Sequence, residues 1–314
     1  CSFAYVNEKN GYVRPDIDDS MEISIVKGRH PVIEQTIDNG LFISNDTYLD
    51  DRDASLLLIT GPNMAGKSTY MRQTALLVLM AQAGCFIPCE RAKIGVVDRI
   101  FTRIGASDNL AQGQSTFYVE MSELSYILNS AGPRSLIILD EIGRGTSTYD
   151  GLSIAWAVCE YLCNKNTHIR TLFATHYHEL TVLEEQIRGL KNLNVDVAEE
   201  YGNIIFLHKI VEGSASRSYG IHVAKLAGIP ESLLARAREK LADLEKGQLT
   251  ASSQNHADKA ADDDQGTQIS LFSGGEYDPI REKIRSIDIM EITPSQAIRI
   301  LEELKGTIDD QDIR

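Results

Sequence analysis

Three continuous apolar runs stand out along the chain, and each of them ends in polar residues. They cover residues 55–60, 135–139 and 171–174, and they are apolar on both faces, as is typical of strands buried in a parallel sheet. The first run is followed by residues 70–83, which have helical composition and no breaker. This alternation predicts an α/β fold in which a mostly parallel sheet is covered by helices.

The residues before the first buried run follow a different pattern. Residues 21–26 and 41–44 are short β-like runs, and a turn signal lies at residues 38–40. They predict a small sheet that leads into the main domain. We assign residues 1–20 to the remnant of a preceding region and residues 21–210 to the main domain.

Helical patterns dominate after the main domain. Residues 221–227 and 231–246 have helical patterns, and a Gly-Ile-Pro break at residues 228–230 separates them. We therefore assign residues 211–247 to a helix-turn-helix. Its basic residues are interleaved with acidic ones, which is unlike a helix that reads bases in the major groove.

The last part of the chain changes composition twice. Residues 248–278 are rich in Ser, Gln, Asp and Gly, which predicts a disordered linker because they offer too little apolar surface to bury. Residues 279–314 regain an amphipathic pattern, with Thr293 at a helix start. This last segment is too small to form a core alone, so we expect a helical module that packs against copies of itself.

Charge and length exclude several classes of protein. The formal net charge of −14 argues against a module that coats nucleic acid with a basic surface. The longest strongly apolar stretch, residues 75–81, is far shorter than the ~20 residues that a membrane-spanning helix needs. The chain starts at Cys1 without an initiator Met or a leader pattern, so we interpret it as a fragment.

The cysteines favour a reducing, cytoplasmic setting, because they are too few for a disulfide scaffold at this length. Two Cys-x-x-x-Cys pairs occur among them. Their spacing allows a zinc site built from four thiols or, as we expect, small side chains buried as hydrophobic groups. The cysteines are Cys1, Cys85, Cys89, Cys159 and Cys163.

A glycine-rich loop follows the first buried run. It matches the pattern G-x-x-x-x-G-K-[ST], in which backbone N–H groups surround the phosphates of a nucleotide. Lys67 is predicted to reach the β- and γ-phosphates and Ser68 to bind Mg²⁺. The predicted ATP site comprises Gly61, Pro62, Asn63, Met64, Ala65, Gly66, Lys67, Ser68 and Thr69.

Polar residues follow the other two buried runs at the carboxyl edge of the predicted sheet, where parallel sheets bind ligands. Asp140 is predicted to bind Mg²⁺, and Glu141 to activate the attacking water as a general base. We assign His176 to the γ-phosphate or to that water. His178 invites a metal interpretation, but an isolated His-x-His pair is more often structural, so it stays unassigned.

Four ordered stretches carry a resemblance to a known family. Residues 61–73, 114–121, 140–151 and 173–177 resemble the ATPase domain of the bacterial MutS family, which acts in DNA mismatch repair. The resemblance runs from the start of the chain to about residue 246 and continues in weaker form to the end. It implies an ABC-type phosphate-loop ATPase that binds ATP and Mg²⁺ and works at the nucleoid.

The resemblance also implies a dimer, because the family holds each nucleotide between the phosphate loop of one subunit and a signature segment of the other. That trans segment corresponds here to Ser115, Thr116 and Phe117, together with Glu120. Residues 143–147 correspond to the loop that connects the two sites. The helix-turn-helix corresponds to an element that packs against the partner subunit.

Further site residues follow from the same resemblance. Phe42 and Ile43 correspond to residues that pack against adenine, and His208 to the histidine on its other face. Stacking on an aromatic ring and an imidazole suits a purine. Asn63 corresponds to a residue that helps to hold the attacking water.

The predicted linker contains an apolar cluster in an otherwise polar segment, which is typical of a docking peptide. It resembles the pentapeptide with which bacterial MutS proteins bind the sliding clamp. The family further implies a homodimer or tetramer, a MutL-type partner, and mismatched double-stranded DNA bound through regions outside this chain. The cluster consists of Gln268, Ile269, Ser270, Leu271 and Phe272.

Three alternatives compete with this interpretation. An ABC transporter subunit would carry the signature Leu-Ser-Gly-Gly-Gln, which the sequence lacks. A MutS paralogue that acts in recombination is disfavoured by the clamp-like peptide. An assembly adaptor that binds ATP without turnover is disfavoured by Glu141, which is placed to act as a general base.

Overall fold

The computed structural model describes residues 2–37, 42–62, 65–105, 116–164, 168–200, 203–214 and 219–257. The chain divides into two compact units, residues 1–244 and 245–314. In the second unit the described residues are 245–257, and they are helical. The predicted module at residues 279–314 therefore lies outside the described residues.

Helices and strands alternate along the described chain. The helices are α1 (Ser2–Asn10), α2 (Ile33–Thr36), α3 (Lys67–Gln82), α4 (Thr116–Ser130), α5 (Thr148–Leu162), α6 (Leu183–Gln186), α7 (Gly220–Leu226) and α8 (Glu231–Ala257). The strands are β1 (Asp16–Asp18), β2 (Ile23–Gly28), β3 (Asn45–Leu49), β4 (Leu56–Thr60), β5 (Arg91–Gly95), β6 (Ile100–Ile104), β7 (Leu136–Asp140), β8 (Arg170–Ala174), β9 (Leu190–Glu200) and β10 (Asn203–Glu212).

The main sheet has six strands in the order β10-β9-β4-β8-β7-β6. Strands β9, β4, β8, β7 and β6 run parallel, and β10 is antiparallel to β9 at one edge. Every residue of β4, β7 and β8 is buried, as expected for strands covered on both faces. The predicted α/β fold with a mostly parallel sheet covered by helices is confirmed.

Two apolar cores lie on opposite faces of this sheet, because successive side chains of a strand point in opposite directions. Leu57 shares one core with Met71 of α3, and Leu58 shares the other with Ala155 of α5. Burial on both faces fixes the strand register. In that register, Ala174 of β8 lies beside Asp140 of β7, so the polar residues that follow these strands are neighbours.

A second sheet has the order β1-β5-β2-β3. Its strand β1 pairs with β5, so part of the segment assigned to a preceding region belongs to this sheet. The predicted strand at residues 41–44 is wrong, because residues 42–44 are not in a strand and β3 begins at Asn45. The pattern misleads because β3 buries the polar residues Asn45 and Thr47 along with Leu49.

Helices α7 and α8 match the predicted helix-turn-helix outline. Gly228 ends the α7 segment with a φ of +84°, a left-handed conformation that favours glycine. However, α8 continues to Ala257, so the linker prediction is wrong for residues 248–257. No proline interrupts that stretch, which leaves the helix free to continue. Among the described residues, no helix has the length and apolar character that crossing a membrane requires.

Arg170 ties the two sheets together. This first residue of β8 is fully buried, and its guanidinium donates to backbone carbonyls around the ends of β5, β2 and β7. Burial lowers the pKa of Arg170 to about 10. The carbonyl oxygens belong to Met21 (3.4 Å), Gly95 (3.5 Å), Val96 (3.3 Å) and Arg134 (2.5 Å).

Replacing Arg170 by Met is expected to lower the free energy of unfolding by about 2–4 kcal/mol, because buried carbonyls lose their donors. Urea unfolding measures this loss. The matched control is Arg188→Met, since Arg188 is exposed and pairs with Asp53 at the surface, and it is expected to change stability by less than about 0.5 kcal/mol. An equal loss of unfolding free energy in the two variants contradicts a stabilising role for the contacts of Arg170 between the two sheets.

Candidate active site

The glycine-rich loop leaves β4 and leads into α3. Gly61 and Gly66 have φ values of +123° and +105°, left-handed conformations in which a side chain is strained. The helix begins directly after Gly66, so its first N–H groups are available to an anion. Asn63 and Met64 lie outside the described residues.

Lys67 is buried at the start of α3, with 1% of its surface exposed. Its Nζ donates to the carbonyl oxygen of Gly61 across the loop. Burial lowers the pKa of Lys67 to about 8, although the nearby carboxylates of Glu141 and Asp140 act in the opposite direction. A desolvated cation of this kind is strongly stabilised when an anion such as phosphate binds beside it.

Asp140 ends β7 beside the loop and is buried. Its Oδ1 atom has no hydrogen-bond partner within the described part of the chain. A buried carboxylate oxygen without a partner suits a hard cation, since Mg²⁺ prefers oxygen ligands. Ser68 offers a hydroxyl oxygen one residue after Lys67, so the oxygen donors fit Mg²⁺.

Glu141 directly follows Asp140 and is held in a left-handed conformation, with a φ of +58°. Its backbone N–H donates to the carbonyl of Ala174 (2.9 Å), which fixes it at the carboxyl edge of the sheet. Burial raises the pKa of Glu141, while an ion pair between its Oε2 and Arg144 (2.6 Å) acts in the opposite direction. A non-glycine residue in this conformation is a form of strain that concentrates at functional sites.

His176 follows β8 at the same edge. Burial lowers its pKa, and the positive charges of Arg144 and Lys67 lower it further. The imidazole is therefore neutral at pH 7 and can donate or accept one hydrogen bond at each nitrogen. Burial also lowers the pKa of His178, and no metal-binding group of His, Cys, Asp and Glu exists among the described residues, so His178 stays unassigned.

A cavity of about 590 Å³ opens beside the phosphate loop. It brings together Phe42, Ile43 and His208, the three residues expected to contact adenine. His208 also donates from Nδ1 to the carbonyl of Ala65 (3.0 Å), which joins the cavity wall to the phosphate loop. The lining residues are Ile33, Ile37, Phe42, Ile43, Asn45, Gly66, Ser68, Thr69, Tyr70, Gln73 and His208.

Several of these lining residues escaped the sequence interpretation. Tyr70 and Gln73 lie one and two turns after Gly66 on α3, so helical spacing from the loop is a signal for both. Ile33 and Ile37 carry no signal beyond their apolar character. Asn45 carries none at all, because its partner His208 is 163 residues away in the sequence.

The model of MutS domain V matches residues 57–245 of the chain, which covers the phosphate loop, β7, β8 and the helix-turn-helix. The chain belongs to the MutS domain V family. It is 57% identical over 309 residues to the DNA mismatch repair protein MutS of Caldicellulosiruptor bescii, covering 98% of this chain and 36% of that protein.

Two further relatives of this MutS domain V carry the same name. The DNA mismatch repair protein MutS of Alkaliphilus metalliredigens is 55% identical over 315 residues, 98% of this chain and 36% of that protein. The protein of that name from Methanosarcina mazei is 50% identical over 317 residues, 96% of this chain and 35% of that protein. The chain thus spans about a third of the length of these curated relatives.

The expected trans segment of this MutS domain V lies at the start of α4. Thr116 is exposed on the first turn of the helix, whereas Ser115 lies outside the described residues. Glu120, which belongs to the same expected segment, contacts residues of its own chain. Glu120 is buried, because its Oε1 accepts the Gly143 N–H (2.5 Å) and its Oε2 pairs with Arg103 (3.4 Å).

The loop at residues 143–147 packs against the first turn of α4. Both backbone polar groups of Gly143 are hydrogen-bonded. Its N–H donates to Glu120, and its carbonyl accepts from the Tyr177 hydroxyl (3.1 Å). A side chain at Gly145 would lie 2.8 Å from the Cβ of Phe117, so only glycine fits there. The loop therefore connects the exposed end of α4 to Glu141 within one subunit.

Three of the described cysteines of this MutS domain V lie in two different cores. Cys89 lies in the core that contains α3, whereas Cys159 and Cys163 lie in the core that contains α5. Burial raises the pKa of Cys89 and Cys163 to about 11, so both are protonated at neutral pH. The described cysteines are buried hydrophobic side chains, as expected.

Proposed function

We propose that the chain is the ATP-binding and ATP-hydrolysing part of a DNA mismatch repair protein, active in the cytoplasm at the nucleoid. The observation that carries the proposal is the cluster of Lys67, Asp140, Glu141 and His176 at one edge of the sheet, next to a cavity large enough for a nucleobase. The shared name of the relatives supports the repair role.

Each part of the site has a proposed share in ATP binding. The cavity takes adenine between Phe42 and Ile43 on one side and His208 on the other. The phosphate loop surrounds the phosphates with backbone N–H groups, and Lys67 neutralises their charge. Ser68 and Asp140 would hold Mg²⁺, which would supply positive charge to offset the charge of the phosphates.

Hydrolysis is proposed to depend on Glu141. A carboxylate whose pKa is raised by burial is a stronger base than an exposed one, so it is suited to take a proton from water. Neutral His176 is proposed to hold the γ-phosphate or the water. Asn63, which lies outside the described residues, is proposed to help orient that water. Arg144 pairs with Oε2 of Glu141 and opposes the rise in its pKa, so this ion pair limits the basicity of Glu141.

The site is proposed to be completed by a second subunit. Ser115 and Thr116 are proposed to contact the γ-phosphate of the partner's nucleotide, because hydroxyl groups and the N-terminus of α4, which begins at Thr116, both offer donors to an anion. The loop at 143–147 then passes the state of α4 to Glu141. The whole repair protein is proposed to act as a clamp on mismatched double-stranded DNA. ATP turnover at the two sites switches this clamp between its states.

A mixing experiment tests the shared site. Lys67→Met and the double variant Ser115→Ala/Thr116→Val are each expected to be inactive alone. Their mixture forms heterodimers with one intact site, so it is expected to regain about a quarter of the wild-type ATPase rate if subunits pair at random. A mixture as inactive as its components shows that the phosphate loop and α4 act within one subunit.

We propose homodimerisation through the helix-turn-helix at 211–247, tetramers through 279–314, and contact with a MutL-type partner. The peptide at residues 268–272, outside the described residues, is proposed to bind the sliding clamp. Deleting it is expected to abolish clamp capture in a pull-down and to leave the ATPase rate unchanged; undiminished capture contradicts this role.

A further inference from the structure

Strand β10 is distorted where it passes the base cavity. Between Phe206 and Ile210 the strand advances four residues while its partner β9 advances two, from Val197 to Val195. Within this bulge His208 has a φ of +52°. A non-glycine residue adopts this left-handed conformation only where its surroundings hold it there.

The side chain of Asn45 forms hydrogen bonds with two residues of the bulge, His208 and Ile210. Its Nδ2 donates to the carbonyl of His208 (3.0 Å) and more weakly to that of Ile43 (3.4 Å), and its Oδ1 accepts the Ile210 N–H (2.8 Å). The partners fix the orientation of the amide, since two are carbonyls and the third is an N–H. Asn45 is buried, so these bonds are shielded from water.

The bulge positions the His208 side chain so that it contacts both the base cavity and the phosphate loop. The imidazole lines the base cavity, and its Nδ1 reaches the carbonyl of Ala65 in the phosphate loop. The same ring also packs over Gly66, where an added Cβ would lie 3.4 Å from Nδ1. Without Asn45, the carbonyl of His208 and the N–H of Ile210 lose the contacts that keep this conformation.

We infer that Asn45 is a positioning residue for nucleotide recognition, which acts by holding His208 against both the base cavity and the phosphate loop. The inference rests on the proposed function, in which the cavity takes a purine base. Asn45 lines the base cavity and is not part of the phosphate loop at residues 61–69, so its larger effect is expected on ligands that carry a base. The ligand class it selects is a purine nucleotide rather than a bare polyphosphate.

Binding of ATP and of inorganic tripolyphosphate, each with Mg²⁺, tests this inference on the full chain. Asn45→Ala is expected to weaken ATP about tenfold and tripolyphosphate by less than about twofold. The matched control is Asn192→Ala, because Asn192 is also 5% exposed and donates to a backbone carbonyl, that of Thr181 (2.7 Å), outside the cavity. It is expected to leave both affinities unchanged.

A double-mutant cycle separates positioning from general support. If Asn45 acts through His208, then adding Asn45→Ala to His208→Ala weakens ATP by less than about a further twofold. Full additivity of the two effects, or an equal loss of ATP and tripolyphosphate affinity in Asn45→Ala, overturns the inference. Asn45→Asp retains the acceptor for Ile210 but not the donor for His208, so it is expected to behave like Asn45→Ala.

Hydrogen exchange on the unaltered chain keeps the test independent of variant folding. ATP is expected to slow exchange of the Ile210 amide more than tripolyphosphate does, because a bound base holds His208 and with it the bulge. Equal protection by the two ligands overturns the inference. Wild-type chain that binds ATP no better than tripolyphosphate instead overturns the proposed base cavity itself.

Discussion

Changing Glu141 to Gln is expected to slow ATP hydrolysis by about 10²- to 10⁴-fold, the usual contribution of a general base. Glutamine keeps the shape of the side chain but cannot take a proton from water. Affinity for ATP is expected to change by less than about threefold, since Glu141 is assigned neither to the phosphates nor to the metal. Single-turnover hydrolysis and equilibrium binding measure the two effects separately.

The control for this substitution is Glu160→Gln. Glu160 lies on α5 and accepts a hydrogen bond from the Trp156 indole at the surface (2.9 Å). It is therefore a glutamate like Glu141, but it lies outside the candidate active site. Its substitution is expected to leave both binding and hydrolysis unchanged. Equal hydrolysis rates in Glu141→Gln and wild type show that another group is the base.

The acidic side of the pH–rate profile supplies a second readout for Glu141. Because burial raises the pKa of Glu141, the base becomes protonated and hydrolysis falls at a higher pH than an ordinary glutamate would give. Arg144 opposes this shift, so Arg144→Met is expected to raise the pKa further and to move the acidic fall in rate to higher pH. An unmoved profile in Arg144→Met contradicts the coupling between the two groups.

The parts of the site that the sequence predicted are those encoded locally. The apolar runs predicted β4, β7 and β8, and parallel strands place their carboxyl ends together, so Lys67, Asp140 and His176 were expected at one edge. In the observed register the ends of β4, β7 and β8 lie side by side, since Ile59 and Asp140 both pair with Ala174. Their chemical roles remain predictions that the experiments above address.

The parts that the sequence did not predict depend on distant contacts. Asn45 reads as a polar residue after an apolar run, and the residues that bind its buried amide, His208 and Ile210, lie 163 and 165 positions later. Glu120 was expected in the signature segment, and its sequence neighbours give no sign that it is buried. It is buried because Arg103 and the N–H of Gly143 compensate its charge, and neither partner is adjacent in sequence.

Lys67→Met is the substitution with the largest expected effect on binding, and it is expected to act in opposite directions on affinity and on stability. ATP affinity is expected to fall about 10²-fold or more, because a buried phosphate loses its charged donor. The stability of the nucleotide-free protein is expected to rise instead. Desolvation lowers the pKa of Lys67 to about 8, which means that the folded protein bears an unfavourable buried charge at neutral pH.

The sign of the stability effect follows from the two pKa values. The pKa of Lys67 is about 8 in the folded state against 10.5 in the unfolded chain, so removing the charge at pH 7 gains at most about 3 kcal/mol. Between pH 8 and 10.5 the unfolded chain binds more protons than the folded one. Wild-type stability therefore rises with pH in that window, and the advantage of Lys67→Met shrinks.

Urea unfolding of nucleotide-free wild type and Lys67→Met at pH 7 and pH 9 measures this difference. Lys191→Met is the control, because Lys191 is about half exposed and its pair with Glu184 spans 3.6 Å, so its substitution is expected to change stability by less than about 0.5 kcal/mol at either pH. A Lys67→Met protein that is less stable than wild type at pH 7 contradicts a desolvated lysine.

The same lowered pKa predicts how ATP binding depends on pH. Below pH 8 Lys67 already carries the proton that the phosphates require, so affinity is flat with respect to this group. Above pH 8 the lysine must regain a proton when ATP binds, and affinity is expected to fall about tenfold per pH unit. Lys67→Met is expected to lose this dependence together with its affinity. A wild-type affinity that stays constant up to pH 9.5 shows that the buried lysine keeps its ordinary pKa, and the stability gain of Lys67→Met then has no physical basis.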